Sequence, residues 1–133
     1  MFTWTQEQLR QVGPGCTLVY VDPNGERVQA EVAGVERVCG ELWIDMRGGL
    51  GNDCESHFDP STLRAPTLAT LNRMAVESFG EGAEILQNDA DHTIAVLAVR
   101  PVYGQCLVAQ FYAEDDGGDA ARECARWLAA RGR

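Results

Sequence analysis

Apolar and polar residues recur with two different periods along this chain, and the change between them falls at Ala65-Pro66. Near the start, Thr5 predicts a capped helix over TQEQLRQV, ended at Gly13-Pro14 because proline disfavours helix in the residue before it. CTLVYV (16–21) is β-branched and aromatic, DPNG (22–25) has the residues of a tight turn, and ERVQAEVAGVERV (26–38) alternates as a long strand. In that strand Val28, Ala30 and Val32 share one face, while Arg27, Gln29 and Glu31 share the other. Gly34 interrupts the alternation as a bulge or sharp bend, and Val35 and Val38 resume it in another phase. ELWID (41–45) is a short strand after the turn residue Gly40. MRGGLGNDCESHFD (46–59) then reads as a long glycine-rich connection, followed by a closing DPSTLR turn.

Beyond Pro66 the period becomes helical. Thr67 caps a helix in which Leu68, Leu71, Ala75 and Phe79 fall on one stripe, with Met74 and Ser78 alongside and Gly80 as the stop. EILQN (84–88), HTIAVLAV (92–99) and CLVAQFYA (106–113) are strands joined by NDAD and RPVYGQ, and the second is apolar enough for a central position. After the polar loop EDDGG, Asp119 caps a final helix whose Ala121, Cys124, Ala125 and Leu128 form a stripe that belongs on a sheet. The expected class is α+β. Residues 1–65 form a short helix plus a small β-barrel-like part, and residues 66–133 an αβββα part packed with it as one unit.

These patterns resemble two known folds. Residues 13–65, through GP-x-C-x-L-V-Y, S-x-F-x-P-S-x-L-R and their strand spacing, resemble an SH3-like small β-barrel. Such barrels bind many kinds of partner, so the resemblance implies shape and no particular chemistry. Residues 66–133 resemble the αβββα topology of double-stranded-RNA-binding domains, including the alanine-rich last helix DAARECARWLAA. That family grips phosphates with lysines before its last helix, whereas EDDGGD stands there in this chain and would repel them.

Charge narrows the function further. The chain of 133 residues carries −9, with ten carboxylates against five arginines in residues 1–65 and ten against six in residues 66–133. Direct nucleic-acid binding is therefore disfavoured. Every positive side chain is Arg, which removes any Schiff-base or P-loop lysine and suggests a GC-rich bacterial or phage source. The N-terminus lacks the pattern of a signal peptide and no apolar run is long enough to span a membrane, so a cytoplasmic location is expected, with no membrane partner. The five cysteines form no CxxC and read as reduced thiols, several of them in the core.

Candidate chemistry concentrates in residues 46–59. Cys54-x2-His57 could supply two zinc ligands, with Cys39 or Cys16 completing the set, but the second ligand pair of a structural site is missing. Cys54 could also be a nucleophile with His57 or His92 as base, although Asp53, Glu55 and Asp59 around it favour the neutral thiol. RGGLGN lacks the following helix and lysine of a phosphate cradle. No catalytic set or cofactor is expected, and any metal is confined to the weak candidates Cys54 and His57. Long loops concentrate recognition, so Arg47, Asp53, Glu55, His57 and Asp59, with Glu114, Asp115 and Asp116, are the candidate binding residues. Six aromatic residues, Trp4, Trp43, Trp127, Tyr20, Tyr103 and Tyr112, are divided between core and candidate interface anchors.

The expectation is a non-enzymatic acidic binding protein. A phage or mobile-element accessory protein would fit, one that inhibits a basic nucleic-acid-binding defence complex by protein contact. The alternatives are a small zinc- or thiol-dependent enzyme at Cys54 and His57, or a structural or self-associating module. Oligomeric state is not legible in the sequence.

Overall fold

A computed structural model of the chain describes residues 1–49, 51–112 and 117–131. The class is α+β, with three α-helices and two antiparallel sheets among the described residues. The chain divides into two compact units, Met1–Ala65 and Pro66–Arg133. No helix among the described residues is long and apolar enough to cross a membrane.

The first unit opens with α1 (Gln6–Gln11), held by a reciprocal capping box: Thr5 Oγ1 accepts the Gln8 N–H and Gln8 Oε1 accepts the Thr5 N–H. Five strands follow, β1 (Thr17–Val21), β2 (Arg27–Val38), β3 (Glu41–Met46), β4 (Gly51–Cys54) and β5 (Phe58–Arg64), in the order β4-β3-β2-β1-β5. No pairing between β4 and β5 closes this sheet into a barrel among the described residues.

β2 serves two partners in turn. Residues Arg27–Glu31 pair with β1, and residues from Val32 onward pair with β3. Ala33 is the extra residue at the changeover, between Val32 opposite Met46 and Gly34 opposite Asp45. This bulge shifts the phase as the sequence predicts: Val32 faces inward before it, and Val35 faces Ile44 after it. Val28, near the β1–β2 turn, and Val35 and Val38, on the β2–β3 hairpin, are nonetheless exposed. The core consists of Val12, Cys16, Leu18, Ala30, Val32, Leu42, Ile44, Met46 and Phe58, with Trp4, Leu9, Tyr20 and Leu63 packed against it.

Residues 46–59 are not a long loop. Gly48, Gly49 and Gly51 all have positive φ, a conformation open to glycine without strain, and they reverse the chain tightly enough for β4 to pair along β3. A 3-10 turn, Glu55–His57, then passes directly into β5. DPSTLR is likewise a bulged strand and not a terminal turn. Asp59 Oδ1 accepts both the N–H and O–H of Ser61, Thr62 Oγ1 donates to the Asp59 carbonyl, and the same oxygen accepts the Val19 N–H where the ladder is interrupted. Side-chain groups thus replace the missing ladder bond.

In the second unit α2 (Leu68–Phe79) and α3 (Gly117–Arg131) cover one face of a meander of β6 (Glu84–Asn88), β7 (Thr93–Arg100) and β8 (Gly104–Phe111), with β7 central. Ile85, Ile94, Val96 and Ala98 are buried beneath the helices, as are Leu71, Met74 and Ala75 of α2. The α3 stripe Ala121, Cys124, Ala125 and Leu128 is buried as expected, joined by Ala120. Asp119 lies in the first turn of α3 and is not its cap, since the helix already begins at Gly117. Leu68 is exposed, at the open end of its stripe. Trp127 meets Phe79 and Phe111 with ring centroids 5.7 and 5.8 Å away, and the Arg131 guanidinium lies 4.3 Å from the Phe79 centroid.

Candidate functional site

The residues expected to act together in 46–59 are divided by strand alternation. Asp53 and Cys54 are successive residues of β4 and point to opposite faces of the sheet. On the inner side, His57 Nδ1 donates to Asp53 Oδ1 across 2.6 Å, and the same oxygen accepts the Cys54 N–H at 2.8 Å. Tyr20 is the third neighbour: desolvation, then the Asp53 charge, holds its hydroxyl above the ordinary tyrosine value.

Cys54 looks the other way. Its thiol donates to Glu55 Oε2 at 3.1 Å and to Glu41 Oε2 at 3.5 Å, while Ser56 Oγ donates to the sulfur at 3.7 Å. Desolvation raises the thiol pKa most; Ser56 opposes this, and the bonds to Glu55 and Glu41 add to it. Cys54 and His57 therefore have separate partners, and neither activates the other. Among the described residues no group of three or more His, Cys, Asp or Glu side chains is placed to hold a metal ion.

The other candidates are also dispersed. Arg47 follows β3, where its guanidinium meets Glu31 at 3.4 Å and its N–H donates to the Glu31 carbonyl. Asp59 pairs with Arg27 at 3.1 Å, and its hydrogen bonds from Ser61, ahead of those from Arg27, lower its pKa. His92 lies in the turn before β7 with φ 58°, and does not begin the strand. Glu114, Asp115 and Asp116 lie outside the described residues. Cys16 and Cys124 are core thiols, the latter pushed up to about 12 by burial, whereas Cys39 is exposed. Tyr103 and Tyr112 are exposed. A shallow depression of about 360 Å³ beside Tyr112 is lined by Leu86, Asn88, Asp91, Thr93 and Gln110 among others.

A different cluster emerges from the register. Cross-strand partners share a face, so Glu36, Trp43 and Cys54 form one row across β2, β3 and β4. Val38 and Glu41 form the row on one side, and Gly34, Asp45 and Asn52 the row on the other. This is the outer face, because the alternate β3 residues Leu42, Ile44 and Met46 are buried in the core. Glu36, Glu41 and Asp45 are exposed and Trp43 is half-buried. None of the three carboxylates is in an ion pair among the described residues, while Arg10, Arg27 and Arg47 are engaged by Glu7, Asp59 and Glu31. The alternation of E-L-W-I-D is a sequence signal for Glu41, Trp43 and Asp45 on one face. Adding Glu36 needs the pairing across the β2 bulge.

The chain matches no protein-family model, no curated protein and no solved structure.

Proposed function

We propose that this chain is a non-enzymatic binding protein that takes a basic segment of a protein partner on the outer face of β2, β3 and β4. One observation carries this reading: Glu36, Glu41 and Asp45 surround the Trp43 indole with no arginine at any of the positions paired with them. An indole face attracts a guanidinium through its quadrupole, and flanking carboxylates supply hydrogen-bond acceptors in the directions a planar fork requires. Glu41 and Asp45 stand roughly 13 Å apart along β3, so they can engage separate cations on either side of Trp43. Tryptophan with a charged rim also has the composition of an energetic anchor in a contact surface.

A partner that uses arginines or lysines to grip nucleic-acid phosphates has the matching charge. Carboxylates presented along a rigid strand would occupy its groove and inhibit it. The alternative of a zinc- or thiol-dependent enzyme finds no support in a thiol kept protonated beside two carboxylates, or in an imidazole turned to Asp53.

An arginine-rich peptide titrated against the protein tests the reading. The change in tryptophan emission, isolated by comparison with Trp43→Phe, should saturate and weaken as salt is raised. The combined Glu36→Gln, Glu41→Gln and Asp45→Asn variant should bind about tenfold more weakly, since three exposed charges at some 0.5 kcal/mol each amount to one decade. Equal affinity of that variant, or binding indifferent to salt, would overturn the proposal.

A further inference from the structure

Among the described residues, every free sheet edge except β8 carries a charged residue, a proline or a side-chain bond to its backbone that hinders another strand from adding. β4 is only four residues long and holds Asp53; β5 contains Asp59, Pro60, Arg64 and a bulge. β6 is five residues long with Glu84 at its start, and Asn72 Oδ1 of α2 accepts the Ile85 N–H. β8, Gly-Gln-Cys-Leu-Val-Ala-Gln-Phe, is eight residues long with no proline and no charged side chain. Its only pairing among the described residues is with β7. A bulge at Val108, between Leu107 opposite Leu97 and Ala109 opposite Val96, twists it without adding a charge.

We infer that β8 is a docking edge for a second copy of this chain, paired antiparallel with its own counterpart about a twofold axis. Free N–H and C=O groups along an edge require extended backbone as their occupant, and a strand that meets itself antiparallel is self-complementary. Charge favours the same place. Two chains of net charge −9 repel over most approaches, and the eight uncharged residues of β8 add nothing of their own to that repulsion.

Geometry supplies the rest of the contact. α3 overlies β7 and β8, so extending the sheet across β8 sets the two α3 helices side by side, on the order of 10 Å apart. Helix surface then adds to strand edges that alone fall short of the roughly 800 Å² per partner of a stable interface. Because β6 is guarded, the assembly closes at two copies and does not propagate as a fibre.

Native mass and amide exchange test the inference. Wild-type protein should show about twice the 14.5 kDa chain mass, and the dimer fraction should rise with salt as the like charges are screened. Leu107, exposed on β8, gives the decisive variant: Leu107→Lys should be monomeric with unchanged far-ultraviolet circular dichroism. Leu86→Lys, exposed on β6, should remain dimeric. In the wild type, amide exchange over Gly104–Phe111 should slow by about tenfold or more as protein concentration rises, a readout that needs no variant. A wild-type monomer at high concentration and salt, a mass above two copies, or dissociation by Leu86→Lys equal to that by Leu107→Lys would each overturn it.

Discussion

The two units secure their sheets by different means. Residues 1–65 are fastened by side chains that bond to distant backbone: Trp4 Nε1 donates to the Glu55 and Phe58 carbonyls at 2.7 and 3.1 Å, Glu55 Oε2 accepts the Leu42 N–H, and Thr62 Oγ1 accepts the Val19 N–H. Residues 66–133 rely on two helices laid on one face of a meander, with an alanine-and-cysteine stripe close against the strands. A strongly bent five-stranded sheet leaves backbone groups without ladder partners, and polar side chains must satisfy them. In the meander Asn72 Oδ1 accepts the Ile85 N–H and Gln105 Nε2 donates to the Gly82 carbonyl, while the apolar face under the helices supplies the main burial. The difference teaches that polar residues in the first unit are mostly structural, and that those without such duties, Glu36, Glu41 and Asp45, stand out for that reason.

Core truncations should produce the largest effects and sharpen the contrast. Leu18→Ala and Ile94→Ala each remove a fully buried aliphatic side chain and should cost about 3 kcal/mol. Amide exchange should report the loss in β1 to β5 for the first and in β6 to β8 for the second. Losses spread evenly over both sheets would erase the distinction.

Trp4→Phe keeps most of the ring but removes the indole N–H that serves two carbonyls, and should destabilise the first unit by about 1–2 kcal/mol in denaturant titration. Were it neutral, the side-chain fastening would be incidental. Thr5→Ala should cost about 1 kcal/mol through the capping box, with faster exchange at the start of α1.

The smallest effects concern titration. Cys54, whose pKa is raised, should alkylate with a midpoint displaced upward from the ordinary thiol value, and any stability it contributes is present below the unfolded thiol pKa and lost as pH rises through the folded one. Asp59 has the opposite sign. Its contribution is present above the ordinary carboxylate pKa and lost as pH falls through the lowered value, so Asp59→Asn should flatten the acid limb of the stability profile. An unchanged acid limb would remove Asp59 from the set of fastening residues.

Local chemistry made much of the fold readable. Thr5 and Gln8, Thr67 and Gly80, the phase change at Gly34 and the Ala121–Leu128 stripe each announce an element through forces acting within a few residues. Residues 46–59 misled because glycines and acids have loop composition, while what decides their state is the offer of a partner strand from β3. The candidate site failed for a related reason. Cys54 and His57 are three residues apart in sequence, yet β4 alternation and the turn after it give them different neighbours. Trp43 and its carboxylates were visible in part as a period of two, but joining Glu36 to them needs a register that counts across a bulge.

The fastening of Trp4 also carries a consequence for synthesis. Phe2 N–H donates to the Ser56 carbonyl, and Trp4 bonds to carbonyls 51 and 54 positions further along. Made before the strands it binds, this segment must wait for its carbonyl partners until nearly the whole first unit has emerged from the ribosome. Its hairpins can form earlier, because their partners are close in sequence. A late step of assembly in the first unit therefore belongs to residues that precede its strands in the chain.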